Sequence, residues 1–347
     1  MGGVDPRENQ ALATAAGLGR VRAVVPLSGG ANNRVFRVEA AAGVGLLKAY
    51  FRHPDDPRDR LGTEWAFASF ARESGVRCVP RPLACDPEDG LALFEFVHGR
   101  PLHGPVADDA VDQAIDFFRA LNAAKNTPGA GSLPVASEAC FRLDDHLATV
   151  DRRVSRLRAV SVGSVVDLAA AGFVEAELAP AWARAQAAAR SAAASLGLDT
   201  ARAIAAADHC LSPSDFGFHN AIESADGRLR FIDFEYAGWD DPAKLVCDFF
   251  CQPAVPAPAA AFDRFARAVA AGFADPEFHR RRAELLLPVY RVKWCCILLN
   301  EFLPVGGSRR AYSAAADPDA RKAAQLAKAR AALAAVVRPE SPQRKVA

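Results

Sequence analysis

The rhythm of apolar and polar positions changes near residue 97. Before it, Val35, Phe36 and Val38, then Leu46, Leu47 and Ala49, alternate or run apolar as half-buried sheet does. The polar turn Ser28-Gly29-Gly30-Ala31-Asn32-Asn33 separates strands here, and further strands are predicted over 82–85 and 91–97 around Asp86-Pro87-Glu88-Asp89-Gly90. Two helices interrupt this sheet pattern, a short one over 9–16 and one over 58–72 whose Leu61, Trp65, Ala68 and Ala71 share a face. After His98-Gly99-Arg100-Pro101 the spacing predicts helices over 107–124, 143–160, 165–196, 258–274, 276–303 and 316–337. A boundary after Val97 follows, with residues 1–97 as a sheet-rich lobe and 98–347 as a helical one.

One stretch of the second part breaks the helical rhythm. Residues 210–242 read CLSPSDFGFHNAIESADGRLRFIDFEYAGWDDP, a polar loop, a short strand, an Asp226-Gly227 turn and the strand Leu229-Arg230-Phe231-Ile232. This layout puts Asp215, Asn220 and Asp233 at loop and strand ends. A carboxylate and a carboxamide five residues apart, with a second carboxylate on the next strand, suit a site that orients a hydroxyl and holds magnesium and phosphate.

Composition narrows the class. A chain of 347 residues, 51% hydrophobic and 24% charged, can bury a large core and is expected to form two domains. Net charge is +1 with no basic block, which argues against a nucleic-acid partner. No segment has the form of a signal peptide or an uninterrupted membrane span, so a cytoplasmic location with no membrane partner is expected. Eight cysteines without a C-x-x-C pair are expected to be reduced thiols.

Two more candidates lie in the first lobe. The Ser28–Asn33 turn sits on a hairpin tip, where glycines let backbone N–H groups approach an anion, although Gly-Asn turns are also ordinary hairpin chemistry. Lys48 ends a strand among apolar neighbours, and Glu64 falls on the apolar face of the following helix. An inward ion pair and a surface lysine beside a solvated glutamate both fit, with Glu73 as a competing partner.

Taken together, these elements resemble the aminoglycoside phosphotransferase and choline kinase superfamily. The order of a glycine-turn hairpin (Ser28, Gly29, Gly30, Asn32, Asn33), Lys48, Glu64, a hinge over 94–97, Asp215-x-x-x-x-Asn220 and Ile232-Asp233 carries the resemblance. The wording IDFEYAGWDDP is closest to its choline and ethanolamine kinase side. The resemblance implies an α+β, bilobal, protein-kinase-like fold: a small N-terminal lobe with an antiparallel sheet plus one helix, and a larger, mainly helical C-terminal lobe. It also implies an enzyme that moves the γ-phosphate of ATP to a hydroxyl of a small molecule. Asp215 is then the catalytic base, and Asn220 and Asp233 are the Mg2+ ligands. Lys48 held by Glu64 binds the ATP phosphates, and backbone groups near Glu95 and Val97 take the adenine. The letters Asp215-Phe216-Gly217 imitate the kinase metal triplet, but the order of elements makes Asp215 the catalytic-loop residue and Asp233 the metal aspartate.

The chain departs from that family at one point. His-Gly-Asp is the usual reading at the catalytic aspartate, and here it is Pro213-Ser214-Asp215, with His209 too far upstream to substitute. Either Pro213 braces the loop, or the chain is a degenerate kinase that binds nucleotide or a partner without transfer. Acceptor contacts are expected among Tyr236, Trp239, Asp241, Tyr290, Arg291 and Trp294. Trp239 with Trp294 or Tyr290 would box a quaternary ammonium, Asp240, Asp241 and Glu301 would meet an amino sugar, and Arg291 with Lys293 would meet an anionic acceptor. All three stay open.

Overall fold

The first strands pair as their alternation predicts. β1 (Val21–Leu27), β2 (Arg34–Ala40), β3 (Gly43–Ala49), β4 (Pro82–Asp86) and β5 (Leu91–Glu95) form one antiparallel sheet in the order β1-β2-β3-β5-β4. Side chains alternate across a strand, so Leu47 and Ala49 turn to one face while Lys48 turns to the other. Leu47 and Ala49 join Val38, Leu91, Leu93 and Leu12 of the helix α1 (Pro6–Ala15) in a buried cluster. The helix α2 (Arg60–Glu73) starts two residues later than its apolar pattern suggests, because Asp59 caps it by accepting from the Gly62 amide at 2.8 Å. Any Cβ at Gly62 would collide with that capping carboxylate. The computed structural model describes residues 6–27, 33–54, 56–304, 307 and 317–337.

Two compact units account for the described residues. One comprises the chain up to Phe141 together with Ile204–Ala283, and the other comprises Arg142–Ala203 with the described residues from Glu284 onward. The boundary expected after Val97 therefore falls inside the first unit. Pairing remote in sequence is the reason: β6 (Arg100–Pro101) pairs with β8 (Ala221–Glu223), β8 pairs with β9 (Leu229–Phe231), and the Phe231 amide donates to the Cys78 carbonyl at 2.7 Å. β7 (Cys210–Ser212) pairs in turn with β10 (Gly238–Asp240).

Besides α1 and α2, the first unit holds α3 (Asp108–Ala123), the single turn α4 (Pro128–Gly131), and three discussed below. The second unit holds α5 (Leu143–Leu157) and α6 (Val165–Phe173), which continues through a π-turn at Val174–Leu178 into α7 (Ala179–Ser195). The expected single helix over 165–196 is thus one rod with a wider turn inside it. α8 (Pro242–Cys251), α9 (Phe262–Ala270) and the start of α10 (Pro276–Leu298) return to the first unit, and α11 (Pro318–Val337) belongs to the second. Within the second unit Lys322 bonds Asp167 at 2.9 Å and Arg321 bonds Glu301 at 2.6 Å, so the Glu301 carboxylate is already paired. Among the described residues no helix is long and apolar enough to cross a membrane.

The helix α8 does not appear among the elements anticipated from periodicity. It is buried on every side from Pro242 to Phe249, with Lys244 and Asp248 included, so it has no polar face to set a 3.6-residue rhythm. Near it, His279 of α10 is 3% exposed, and its Nε2 lies 3.4 Å from Asp208 Oδ1 without hydrogen-bond geometry. Burial lowers its pKa against the opposing pull of Asp241 and Asp208, with Arg282 acting in the same direction as burial. The unfolded chain therefore takes up the proton first, and stability present above the ordinary histidine value, about 6.5, is lost as pH falls through it. Thermal melts at pH 7.5 and 5.5 are expected to show a larger drop for the wild type than for His279→Gln; equal drops would contradict the assignment.

Candidate active site

The register of β3 sets the first half of the site. Lys48, 6% exposed, turns to α2, where its Nζ reaches Glu64 Oε2 at 2.6 Å and Asp233 Oδ1 at 2.7 Å. The inward ion pair is therefore the arrangement present, and Glu73 is exposed. Glu64 is held by more than Lys48: the Tyr50 hydroxyl donates to Oε2 at 2.6 Å and the Phe234 amide to Oε1 at 3.3 Å. Burial alone would strip the Lys48 proton, but Asp233, Glu64 and Glu235 outweigh it and keep the ammonium charged.

Buried aromatics set the second half. Phe216 and Phe218 are both buried and pack against Phe249 with ring centroids at 4.9 and 5.1 Å, and Phe216 also meets Phe117 and Phe231. These two anchors flank Gly217 and leave Asp215 and Asn220 partly exposed. The Asn220 amide nitrogen donates to the Asp215 carbonyl at 2.9 Å, and the Ile232 amide donates to the Asn220 carbonyl at 2.9 Å. The second bond ties the loop to the strand end that carries Asp233. His219 Nε2 lies 3.2 Å from Asp215 Oδ1. Burial disfavours the charged imidazole, but the bond to Asp215 and the charges of Asp215 and Asp233 raise its pKa overall.

Two residues here have left-handed backbone without being glycine, Ser214 at φ 64° and Asp233 at φ 69°. Each costs about 1–3 kcal/mol, a strain that concentrates at functional sites. The Asp233 carboxyl is pushed up to about 6, first by burial and then by Glu235 and Glu64, with Lys48 opposing. Three carboxylates thus share one lysine and Arg60. Donation by the Asn220 amide nitrogen points its oxygen the other way, so an amide oxygen and a carboxylate in an anion-rich pocket make up the donor set, and this chemistry fits a hard divalent cation.

The remaining expected residues divide into several groups. Ser28, Gly29, Gly30 and Asn32 lie outside the described residues. Asn33 is buried, donates to Glu235 Oε2 at 2.7 Å and accepts from the Phe51 amide at 3.1 Å. At the hinge, the Glu95 amide already donates to the Arg81 carbonyl at 2.8 Å and its carboxylate accepts from the Arg81 amide at 3.0 Å. Asp241 is fully buried, caps α8 through the Ala243 amide and pairs with Arg282. Trp239 is half-buried and donates to the Ala130 carbonyl at 3.0 Å. Tyr236 carries the guanidinium groups of Arg58 and Arg60, each 5.3 Å from its ring centroid. In the second unit, Tyr290 is buried with its hydroxyl 2.7 Å from His146 Nδ1 and the Lys293 ammonium 4.7 Å from its ring, while Arg291 is exposed and Trp294 half-buried.

Arg60, Tyr50 and His219 carry roles that spacing did not indicate. Arg60 is 3% exposed and joins Asp56 at 2.6 Å, Glu235 at 3.1 Å and the Tyr236 hydroxyl at 2.8 Å. An arginine at a helix start reads as surface, and its only sequence signal is the acid four residues earlier.

A model of the phosphotransferase enzyme family matches residues 23–286. Among solved structures, Plasmodium vivax ethanolamine kinase superposes with a TM-score of 0.55 at 12% identity, covering 97% of this chain and 84% of its own. The choline kinase LicA from Streptococcus pneumoniae gives 0.53 at 13% identity, covering 95% and 100%. Spectinomycin phosphotransferase APH(9)-Ia, solved with ADP and spectinomycin, gives 0.57 at 10% identity, covering 94% and 99%. At these identities the likeness is one of fold. No curated protein sequence matches at a significant level.

Proposed function

Because the chain belongs to the phosphotransferase enzyme family, we propose that it transfers the γ-phosphate of ATP to a hydroxyl of a small molecule. The acceptor is an amino alcohol, an amino sugar or a related metabolite or antibiotic, the compounds named for similar structures being ethanolamine, choline and spectinomycin. The observation that carries the reading is Lys48 bonded at once to Glu64 and Asp233, beside a loop that offers Asp215 and Asn220. That arrangement holds a lysine charged for a phosphate at the strand end that supplies the metal carboxylate.

The chain's own residues divide the work. Asp215 accepts the proton of the acceptor hydroxyl as its oxygen bonds to the γ-phosphorus and the bond to the β-phosphate oxygen breaks, releasing ADP. His219 holds Oδ1 of that carboxylate and so orients it. Lys48, kept in place by Glu64, neutralises phosphate charge, while Tyr50 and the Phe234 amide fix Glu64. Asn220 and Asp233 are the residues that would hold Mg2+, which when bound supplies charge neutralisation at the phosphates. Adenine contacts fall to hinge groups other than the Glu95 amide, which Arg81 occupies.

A degenerate, binding-only kinase is the second reading, since Pro213-Ser214 precedes the base. Retention of the charged Lys48 with both carboxylate partners favours transfer over it. Thermal melts with ATP plus Mg2+, beside ADP release over a panel of alcohols and amino sugars, distinguish the two. A nucleotide-induced rise in Tm together with acceptor-dependent ADP release is expected. A rise without release under any acceptor would favour the degenerate reading, and no rise at all would sink phosphoryl transfer and leave only the partner-binding form of the degenerate reading.

A further inference from the structure

The loop that presents Asp215 is strained and is gripped from a helix outside it. The Asp215 amide donates to the Pro213 carbonyl at 2.9 Å, which closes a three-residue turn with Ser214 in the middle at φ 64°. A γ-turn of that hand is rare and unfavourable for a residue with a Cβ, so something must hold Ser214 there. Two groups do. The Ser214 amide donates to Ser212 Oγ at 3.0 Å, and its own Oγ accepts from Lys244 Nζ at 3.4 Å.

Lys244 is itself immobilised. It is 1% exposed, bonds Asp240 Oδ2 at 2.6 Å and lies 3.4 Å from Asp248 Oδ2. An ammonium has three donors, and Asp240, Asp248 and Ser214 offer three oxygens. Asp240 is fixed in turn, since its other oxygen accepts from the Cys140 amide at 3.3 Å and the Asp241 amide at 2.9 Å, while β10 pairs Asp240 with Cys210 next to the loop. Desolvation makes a buried Asp-Lys-Asp group a poor source of stability, and well-packed apolar residues would serve the core as well. What such a group does supply is a fixed position.

We infer that Lys244 is a positioning residue for phosphoryl transfer: through the Ser214 hydroxyl it holds the strained turn that aims Asp215, and so performs the bracing that Pro213 alone was expected to provide. This rests on Asp215 being the base. It makes the Pro213-Ser214 pair compatible with an active loop, because Pro213 and Ser214 need not stabilise the turn by themselves.

Three variants of the full chain test it: Ser214→Ala, which removes the grip and keeps the strain, Ser214→Gly, which removes both, and Lys244→Met. Hydrogen exchange of the 210–221 segment is read against the 108–123 segment of α3, alongside basal ADP release from ATP and Mg2+ with water as acceptor. Ser214→Ala is expected to speed exchange in 210–221 about tenfold without moving α3. It should also lower kcat by about tenfold to a hundredfold with the KM for ATP unchanged. Ser214→Gly should lose less of both, since glycine adopts this φ without strain. Lys244→Met should exceed Ser214→Ala, and if it fails to fold, the serine pair still decides. Wild-type exchange in Ser214→Ala, a smaller loss there than in Ser214→Gly, or an equal rise in exchange in α3 would overturn the brace. Loosening of the loop in a chain whose wild type releases no ADP, either with water or with any alcohol or amino sugar of the panel, would uphold the brace and count against the phosphotransferase reading instead.

Discussion

Asp215→Asn is expected to lower kcat for acceptor phosphorylation by about 10²–10⁴, the usual contribution of a positioned general base. Nucleotide binding should survive. The amide keeps the shape of the side chain and loses only the capacity to take the hydroxyl proton, while Lys48, Glu64 and Asp233 form their cluster without it. Phe216 and Phe218 anchor the loop independently, so the variant should fold and melt close to the wild type. Steady-state ADP release with a responsive acceptor, set beside the thermal shift with ATP and Mg2+, separates loss of chemistry from loss of binding. Wild-type turnover in this variant would falsify the assignment of the base.

Asp233→Asn is expected to have the second largest effect, and its two consequences run in opposite directions. Turnover should fall on the order of 10²–10³, since a charge aimed at the phosphates is removed, and the Mg2+-dependent part of the nucleotide thermal shift should vanish. Stability without ligand should rise. The Asp233 carboxyl is pushed up to about 6 by burial, then Glu235 and Glu64, against Lys48. A carboxyl raised in this way stabilises the fold below its unfolded value, about 3.9, and that contribution is lost as pH rises through the folded value. In EDTA at pH 8 the neutral amide should therefore melt above the wild type, and the gap should narrow by pH 5 and close only below the unfolded value. A lower melt at pH 8 with an intact Mg2+ response would count against both the metal role and the electrostatic account.

The two carboxylates were legible for the same reason: each follows a local signal. Asp233 ends a strand of alternating residues, and Asp215 sits five residues before an asparagine in a polar loop. Lys48 was legible as a lysine among apolar residues, but its partner was open until the register of β3 turned it to α2 and made Glu64 the nearer acid at 2.6 Å. Tyr236, Asp241 and Tyr290 illustrate the opposite case. As aromatic and acidic residues near the site motifs they read as acceptor contacts, yet Asp241 caps a helix and pairs Arg282, Tyr290 bonds His146, and Tyr236 lies against two guanidinium groups. Residue type does not reveal whether a polar group has already been used inside the fold.

From the sequence alone came the order of elements, the candidate site residues and the family they resemble, because these depend on local period and spacing along one chain. Tertiary structure alone decided the divisions and the supports. Strand pairing between residues near 100 and 222 moved the unit boundary, and α8, buried on all sides, gave no periodic signal while carrying Lys244 to Ser214. Contacts between segments thirty to two hundred residues apart have no spacing rule, so the grip on the Asp215 turn becomes visible only once burial has brought those segments together.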